Sequence, residues 1–199
     1  MRRTNPLLLA ALIFTAAWST NATPAEIDVW FSPNGGAARD ISRTIDAAKK
    51  TIHVQAYAIS EGQITRALIA AHQRGVAVIL IVDAHEQSGS GSTAKEIKRA
   101  GVPTRVDRAH SLQHNKTMVI DSSVVVTGSM NFTRSGDKNN AENTLIITND
   151  DLAKLYEEDF QKHLAHSGTF ADKELSKPTP LPTPPAALPI PLPAHAKEP

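Results

Sequence analysis

Apolar residues between Glu26 and Gly168 recur with two different periods, and the chain switches between them several times. Ile27-Asp28-Val29-Trp30-Phe31 has the character of a strand, and Pro33-Asn34-Gly35-Gly36 that of a turn. From Ala37 to Lys50, Ile41, Ile45 and Ala48 fall at helical spacing. Thr51 to Ile59 returns to period two, with Ile52, Val54, Ala56 and Ala58 on one face and His53, Gln55 and Tyr57 on the other. Gln63 to Arg74 is predicted helical, with Ile64, Leu68 and Ala71 inward and Gly75 as its stop. Val76 to Val82 is a continuous apolar run, which suits a strand covered on both faces. A short helix over Thr93–Ala100 and a strand over Val102–Val106 follow.

After Asp107 the pattern becomes that of a hairpin. His114 to Ile120 alternates, so His114, Lys116, Met118 and Ile120 share one face. Asp121-Ser122-Ser123 makes the turn and Val124 to Thr127 returns. Gly128 to Asn140 is polar and turn-rich, Glu142 to Thr148 is a last strand, and Asp150 to Ala165 is a closing helix with Leu152, Leu155 and Phe160 expected inside. Strands alternating with helices predict an α/β domain: one mixed, largely parallel β-sheet flanked by helices. The hairpin is not duplicated within the chain.

The two ends differ from this middle. Arg2 and Arg3 precede an uncharged apolar stretch, Leu7 to Trp18, and small residues then offer cleavage sites near Ala22 or Ala25. The stretch is shorter than the ~20 residues of a membrane-spanning helix. Residues 1–22 are therefore expected to be a signal peptide, leaving a periplasmic or secreted protein with no stable membrane anchor. The folded domain is expected over 26–168. Residues 175–199 alternate proline with Thr, Leu and Ala, a composition that predicts an extended, disordered tail serving as spacer or docking peptide.

Composition narrows the chemistry. With no cysteine among 199 residues, disulfides, thiol nucleophiles and zinc–thiolate sites are excluded. Of 21 Lys and Arg, two leave with the leader, so the remainder nearly balances 20 Asp and Glu. Nucleic-acid binding would then need a local basic patch, for which Arg105, Arg108, Arg134 and Lys138 are candidates. Gln87 to Thr93 is glycine- and serine-rich but lacks the lysine spacing of a phosphate loop. No His-Glu-x-x-His spacing is present, so neither a metal nor a cofactor is expected.

A His-x-Lys pair alone is an ordinary feature of exposed strand faces. Here it extends, after four intervening residues, to Asp121, then to Gly128-Ser129-x-Asn131 and to Glu142. The segment from His114 to Asn131 resembles the HKD motif of the phospholipase D superfamily, H-x-K-x(4)-D followed by G-(S/G)-x-N. One motif in a short exported chain, with Asn140-Ala141-Glu142-Asn143 after it, is similar to the single-motif bacterial endonucleases of the Nuc type.

The resemblance implies a phospholipase D-like fold and a phosphodiesterase. Its chemistry can be stated in terms of these residues. Neutral His114 attacks phosphorus and forms a phosphohistidine, while Lys116 supplies charge to the non-bridging oxygens. Ser129 and Asn131 offer neutral donors to the same phosphate. Glu142 is the candidate to hold the other nitrogen of His114. Asp121 points to the opposite face of an alternating strand and reads as structural. Because the family pairs two motifs in one site, a single motif implies a homodimer in which the second His114 acts as general acid. The expected substrate is nucleic acid, DNA or RNA. The alternatives are phospholipid headgroups, which would want an apolar rim, and a non-catalytic exported binding module. His53 and His110 could face the cleft, and His72, His85, His163, His166 and His195 read as surface or helix positions.

Overall fold

The computed structural model describes residues 25–171; the expected leader, the proline-rich segment and His195 lie outside the described residues. The elements run β1 (Glu26–Ser32), α1 (Ala37–Ala47), β2 (Thr51–Ala56), α2 (Gly62–Gln73), β3 (Ala77–Asp83), α3 (Ala94–Arg99), β4 (Thr104–Asp107), β5 (Lys116–Ile120), β6 (Val124–Gly128), α4 (Arg134–Lys138), β7 (Glu142–Thr148), α5 (Asp150–His166) and β8 (Gly168–Thr169). One eight-stranded sheet joins them in the order β1-β7-β6-β5-β2-β3-β4-β8. It is the mixed sheet with flanking helices that the alternating pattern predicts. Its balance is different from the expected one. Only β2–β3 and β3–β4 pair in parallel, whereas the other five pairings are antiparallel.

The strand alternation divides the core between two faces. Ile52, Val54, Leu80, Val82, Met118, Ile120 and Val126 are buried with Ile41 and Ile45 of α1, Ile64 and Leu68 of α2 and Ile97 of α3. Val119 and Val125 point the other way and meet Ala153, Leu152 and Tyr156 of α5. Each fully buried Ile or Leu contributes roughly 1.5–3 kcal/mol of transfer free energy, so these stripes decide the layering. On α5 the inward stripe is Ala153, Tyr156 and Phe160, and the expected core residue Leu155 is exposed. The inward position falls one residue later, at Tyr156.

Three segments depart from the expected elements for reasons visible in their hydrogen bonds. β2 ends at Ala56, not Ile59, because the Tyr57 N–H donates to the Asn115 carbonyl (2.9 Å) and Ile59 pairs instead with Phe132. β5 begins at Lys116, not His114, because Gln113 N–H donates to Asp83 Oδ2 (2.7 Å) and Asn115 N–H to Gln113 Oε1 (2.7 Å). The polar stretch after β6 contains α4, where Thr133 Oγ1 accepts the Gly136 N–H (3.0 Å) as an N-cap. Buried Asp137 of α4 reaches across to accept the Ala38 N–H of α1 (3.1 Å), whose own N-cap residue, Gly36, has no side chain to do so.

Asp121 performs a related task at the β5–β6 turn. Its carboxylate accepts N–H bonds from Lys49 (2.8 Å), Lys50 (2.7 Å) and Thr51 (2.9 Å), fastening the α1–β2 connection to the hairpin. Asp121 and Ser122 both adopt left-handed φ, 53° and 56°, as a tight hairpin turn requires. Burial opposes ionisation of Asp121, but the three backbone donors outweigh it and hold the carboxyl below its ordinary range. A depressed carboxylate stabilises the fold above its ordinary pKa, and that stability drains as pH falls through the lower folded value. Asp121→Ala is expected to cost roughly 1.5–3 kcal/mol at pH 7 by urea unfolding. The stability gap between wild type and Asp121→Asn should shrink below about pH 4. A gap unchanged from pH 7 to pH 3 would exclude charge as its source.

Candidate active site

Antiparallel pairing brings the start of β5, the end of β6 and the start of β7 to one edge of the sheet, beside the end of β2. Lys116 opens β5 and shares its inward face with Met118 and Ile120. It is 7% exposed, unusual for a lysine. Its Nζ lies 2.8 Å from His114 Nδ1, 2.5 Å from the His114 carbonyl oxygen and 5.0 Å from the Tyr57 ring centre. His114 itself is exposed, its ring 4.4 Å from that of Tyr57 at 50°. Burial pushes the Lys116 ammonium below its ordinary pKa, and the charge of Glu142 partly restores it. While Lys116 donates to Nδ1, the proton of a neutral His114 ring must reside on Nε2.

The loop carrying His114 is fixed on both sides. Buried Asp83 holds the Gln113 N–H, and Asn115 Nδ2 donates to Gln55 Oε1 (2.7 Å). The flanking residues are thereby pinned, so the imidazole is presented from a rigid support.

Across from it, Ser129 Oγ donates to Glu142 Oε2 (2.5 Å) and accepts from Asn143 N–H (3.1 Å) and Nδ2 (3.3 Å). Asn140 Nδ2 donates to Glu142 Oε1 (3.1 Å). Glu142 therefore does not hold His114 within one chain, contrary to expectation. Its oxygens are engaged by Ser129 and Asn140, and the Nδ1 of His114 meets Lys116. Asn131 lies on the same turn, half-buried, with a buried amide oxygen that has no hydrogen-bond partner. Gly128 makes this turn possible: its φ is 146°, and a Cβ there would sit 2.3 Å from the Asn143 carbonyl oxygen.

The structure thus brings His114, Lys116, Ser129 and Glu142 to one end of the sheet, with Asn131 adjoining. It leaves Asp121 at the far end of β5, roughly 16 Å of strand away. Tyr57 joins the site although its sequence context shows only a polar-face position. His53 does not join it: its Nδ1 bonds Glu157 (2.8 Å) and its ring stacks on Phe160 at 4.5 Å. Of the basic candidates, Arg105 donates to the Ser167 carbonyl (2.7 Å), Arg108 to Gln87 and Lys138 to Asp137 (2.7 Å), while Arg134 is exposed. His163 and His166 are more than surface residues, for they converge with His110 on Asp107, all four donor atoms lying within 4.8 Å of one another. The gathering of these four side chains at one point was not expected from the sequence. Its signal was the pair of spacings Asp107-x-x-His110 and His163-x-x-His166.

The family model described as "Cardiolipin synthase, PLD-like domain" matches residues 41–164. The chain belongs to the phospholipase D superfamily. It is 37% identical over 150 residues to a Rickettsia conorii protein named phospholipase D, covering 75% of each chain. It is also 33% identical over 131 residues to the human mitochondrial cardiolipin hydrolase, covering 65% of this chain and 52% of that one. Among solved structures it superimposes on Nuc from Salmonella typhimurium, described as a phospholipase D family member, with a TM-score of 0.70 and 33% identity. That match covers 74% of this chain and 99% of Nuc. NucT from Helicobacter pylori, 19% identical with a TM-score of 0.67, shares the fold.

Membership of the superfamily makes this chain a phosphodiesterase. If the Lys116 ammonium stabilises the phosphoryl oxygens, activity must fall as pH rises through its lowered pKa. Removing the Glu142 charge removes the influence that raises that pKa, so Glu142→Gln should move the alkaline limb of kcat/KM to lower pH. Lys116→Ala should cost about 10²–10³ in kcat on a chromogenic phosphodiester. An alkaline limb that stays in place or moves upward in Glu142→Gln would remove Lys116 as its origin.

Proposed function

We propose that this chain is an exported, metal-independent endonuclease that cleaves DNA, and RNA as a second substrate, through a phosphohistidine at a site shared by two subunits. The observation that carries the nucleic-acid reading is the polar rim. Met130 and Phe132, in the loop after β6, are buried in the core, leaving Leu112 as the exposed large apolar side chain of the loops flanking the site. Similarity to Nuc over nearly that whole chain supports the same reading.

An unprotonated nitrogen of His114 attacks phosphorus; the P–N bond forms as the P–O bond to the leaving oxygen breaks. An incoming phosphate competes for the Lys116 ammonium and draws it from Nδ1 to the non-bridging oxygens, releasing the ring. The partner's His114, as imidazolium, gives its proton to the leaving oxygen. Neutral again, it takes a proton from water, which attacks the phosphohistidine and breaks the P–N bond.

Support for a dimer comes from β1. Ile27, Val29 and Phe31 are each at least half exposed, forming an apolar row on an edge strand. Phe31 is paired with Asn143, which bonds Ser129, so the row ends at the site. A second copy packed there would bring its own His114 close by.

A second reading, hydrolysis of phospholipid headgroups, is favoured by the names of the Rickettsia and human relatives. Plasmid DNA, single-stranded RNA and cardiolipin vesicles, each assayed in excess chelator, separate the two. DNA cleavage should persist without divalent cations and vanish in His114→Ala. Vesicle hydrolysis without nucleic-acid cleavage would establish the second reading, and loss of every activity in folded wild type would favour a binding module. Phe31→Glu should yield monomers by ultracentrifugation with at least a hundredfold loss of kcat; a fully active monomer would end the shared-site mechanism.

A further inference from the structure

A second constellation of ionisable side chains stands apart from Lys116, where the end of β4 meets the last turns of α5. Asp107 closes β4 and its side chain is fully buried. Its Oδ2 is 2.7 Å from His163 Nδ1, 3.0 Å from His110 Nδ1 and 3.1 Å from His166 Nε2. Its Oδ1 accepts the Ala109 N–H at 2.8 Å, which fixes the carboxylate plane. The three imidazole rings are 4.8, 5.2 and 5.3 Å apart between centres.

We propose that Asp107, His110, His163 and His166 form a site for one divalent zinc-type cation, which clasps the loop presenting His114 to helix α5. Three imidazoles and a carboxylate are a donor set suited to zinc. Tetrahedral bonds of 2.0–2.1 Å place the donor atoms about 3.3 Å apart. The present distances of 2.7–3.1 Å from Asp107, with all four donors within 4.8 Å, need only small side-chain movements to reach that geometry.

Hydrogen bonding alone accounts poorly for the cluster. Three neutral imidazoles would have to crowd their N–H groups onto one carboxylate oxygen. Three protonated ones would place three positive charges around a single negative charge. A cation among the four resolves both problems, since each nitrogen then presents a lone pair.

The surroundings are those of a built site. His163 turns its other nitrogen, Nε2, toward Asp159 Oδ2 at 3.6 Å, an ion-pair distance that a small shift would close to the carboxylate–histidine pairing that orients a metal ligand. Gln55 Nε2 reaches the same Asp159 oxygen at 3.4 Å, and Gln55 Oε1 holds Asn115, the neighbour of His114. Side-chain exposure rises from 0% at Asp107 through 12% at His163 and 32% at His166 to 48% at His110, leaving a solvent-side approach for the ion. Bound there, the ion would join the β4–β5 loop, through His110, to α5, through His163 and His166. Its role is structural, and the proposal stands whether the substrate is nucleic acid or lipid.

The untagged chain should be dialysed with zinc chloride, then against metal-free buffer, and measured by elemental mass spectrometry, with affinity from competition against a chromogenic chelator. One equivalent of zinc per chain is expected, with His163→Ala and His166→Ala retaining less than a tenth of it. His110→Asn, on a half-exposed loop residue and so safe for folding, should bind at least tenfold more weakly, and His72→Ala as wild type. Zinc at a hundredfold excess over Kd should raise Tm by roughly 5–10 °C in wild type and not in His166→Ala. Amide exchange across residues 108–115 should slow at the same time. Less than a tenth of an equivalent in wild type, or unchanged affinity in folded His110→Asn, would overturn the site without touching the phosphodiesterase reading.

Discussion

A lysine ammonium set beneath the surface at the start of β5 is the constraint around which the rest of the site is arranged. Burying such a charge costs several kcal/mol unless polar groups meet it. Lys116 is met by the His114 ring nitrogen and carbonyl, by the face of Tyr57 and by the field of Glu142. Those groups come from the loop before β5, the end of β2 and the start of β7. Only the order β7-β6-β5-β2, with antiparallel neighbours, brings all of them to one edge. The spacing of the motif is then the length of a hairpin counted in residues. Five residues run away from His114 and Lys116 to a turn at Asp121, and five return to Ser129. Asp121 belongs to the motif because the hairpin has a far end that needs fastening.

What could be read from the sequence was what depends on near neighbours. The period of apolar residues placed β7 at Glu142–Thr148 and α1 from Ala37, because side-chain direction follows directly from backbone period. Beyond the β5–β6 hairpin it could not report which strands pair antiparallel, since an apolar run such as Leu145–Ile147 is compatible with either direction. The position of Leu155 failed for a similar reason. Helix α5 has scattered apolar residues, and the sheet it covers selects among the possible stripes. The His114–Lys116 contact was legible as an i, i+2 pair. The engagement of Glu142 was not, because one oxygen that could serve His114 is claimed by Ser129, thirteen residues earlier, and the other by Asn140. Tyr57 and the convergence of His110 with His163 are contacts across 50 residues or more, set by strand order.

A cysteine-free chain must fix its loops without disulfides, and here carboxylates do much of that work. Asp83 holds Gln113, Asp107 holds Ala109, Asp121 holds three consecutive N–H groups and Asp137 holds the first turn of α1. Each joins a loop or helix end to another segment through charge-assisted bonds, stronger than neutral ones. Three of the four, Asp83, Asp107 and Asp137, are almost fully buried. A carboxylate in such a position is secure because donors surround it, and for the same reason it leaves the backbone around it little freedom.

That rigidity bears on the proposed sharing of the site between two chains. Gln113 and Asn115 are pinned on either side of His114, and Lys116 is locked beneath it, yet the imidazole is exposed. A nucleophile that had to swing into place would lose the benefit of orientation, whereas His114, the proposed nucleophile, already faces outward. Among the described residues no acid stands opposite it: Glu142 is committed to Ser129 and Asn140, and Lys116 occupies the near nitrogen. In the proposed mechanism the group that protonates the leaving oxygen therefore approaches from the open side. An identical outward-facing imidazole on a second copy satisfies that requirement with no new residue, and the apolar row from Ile27 to Phe31 ends at the edge where such a copy would have to pack.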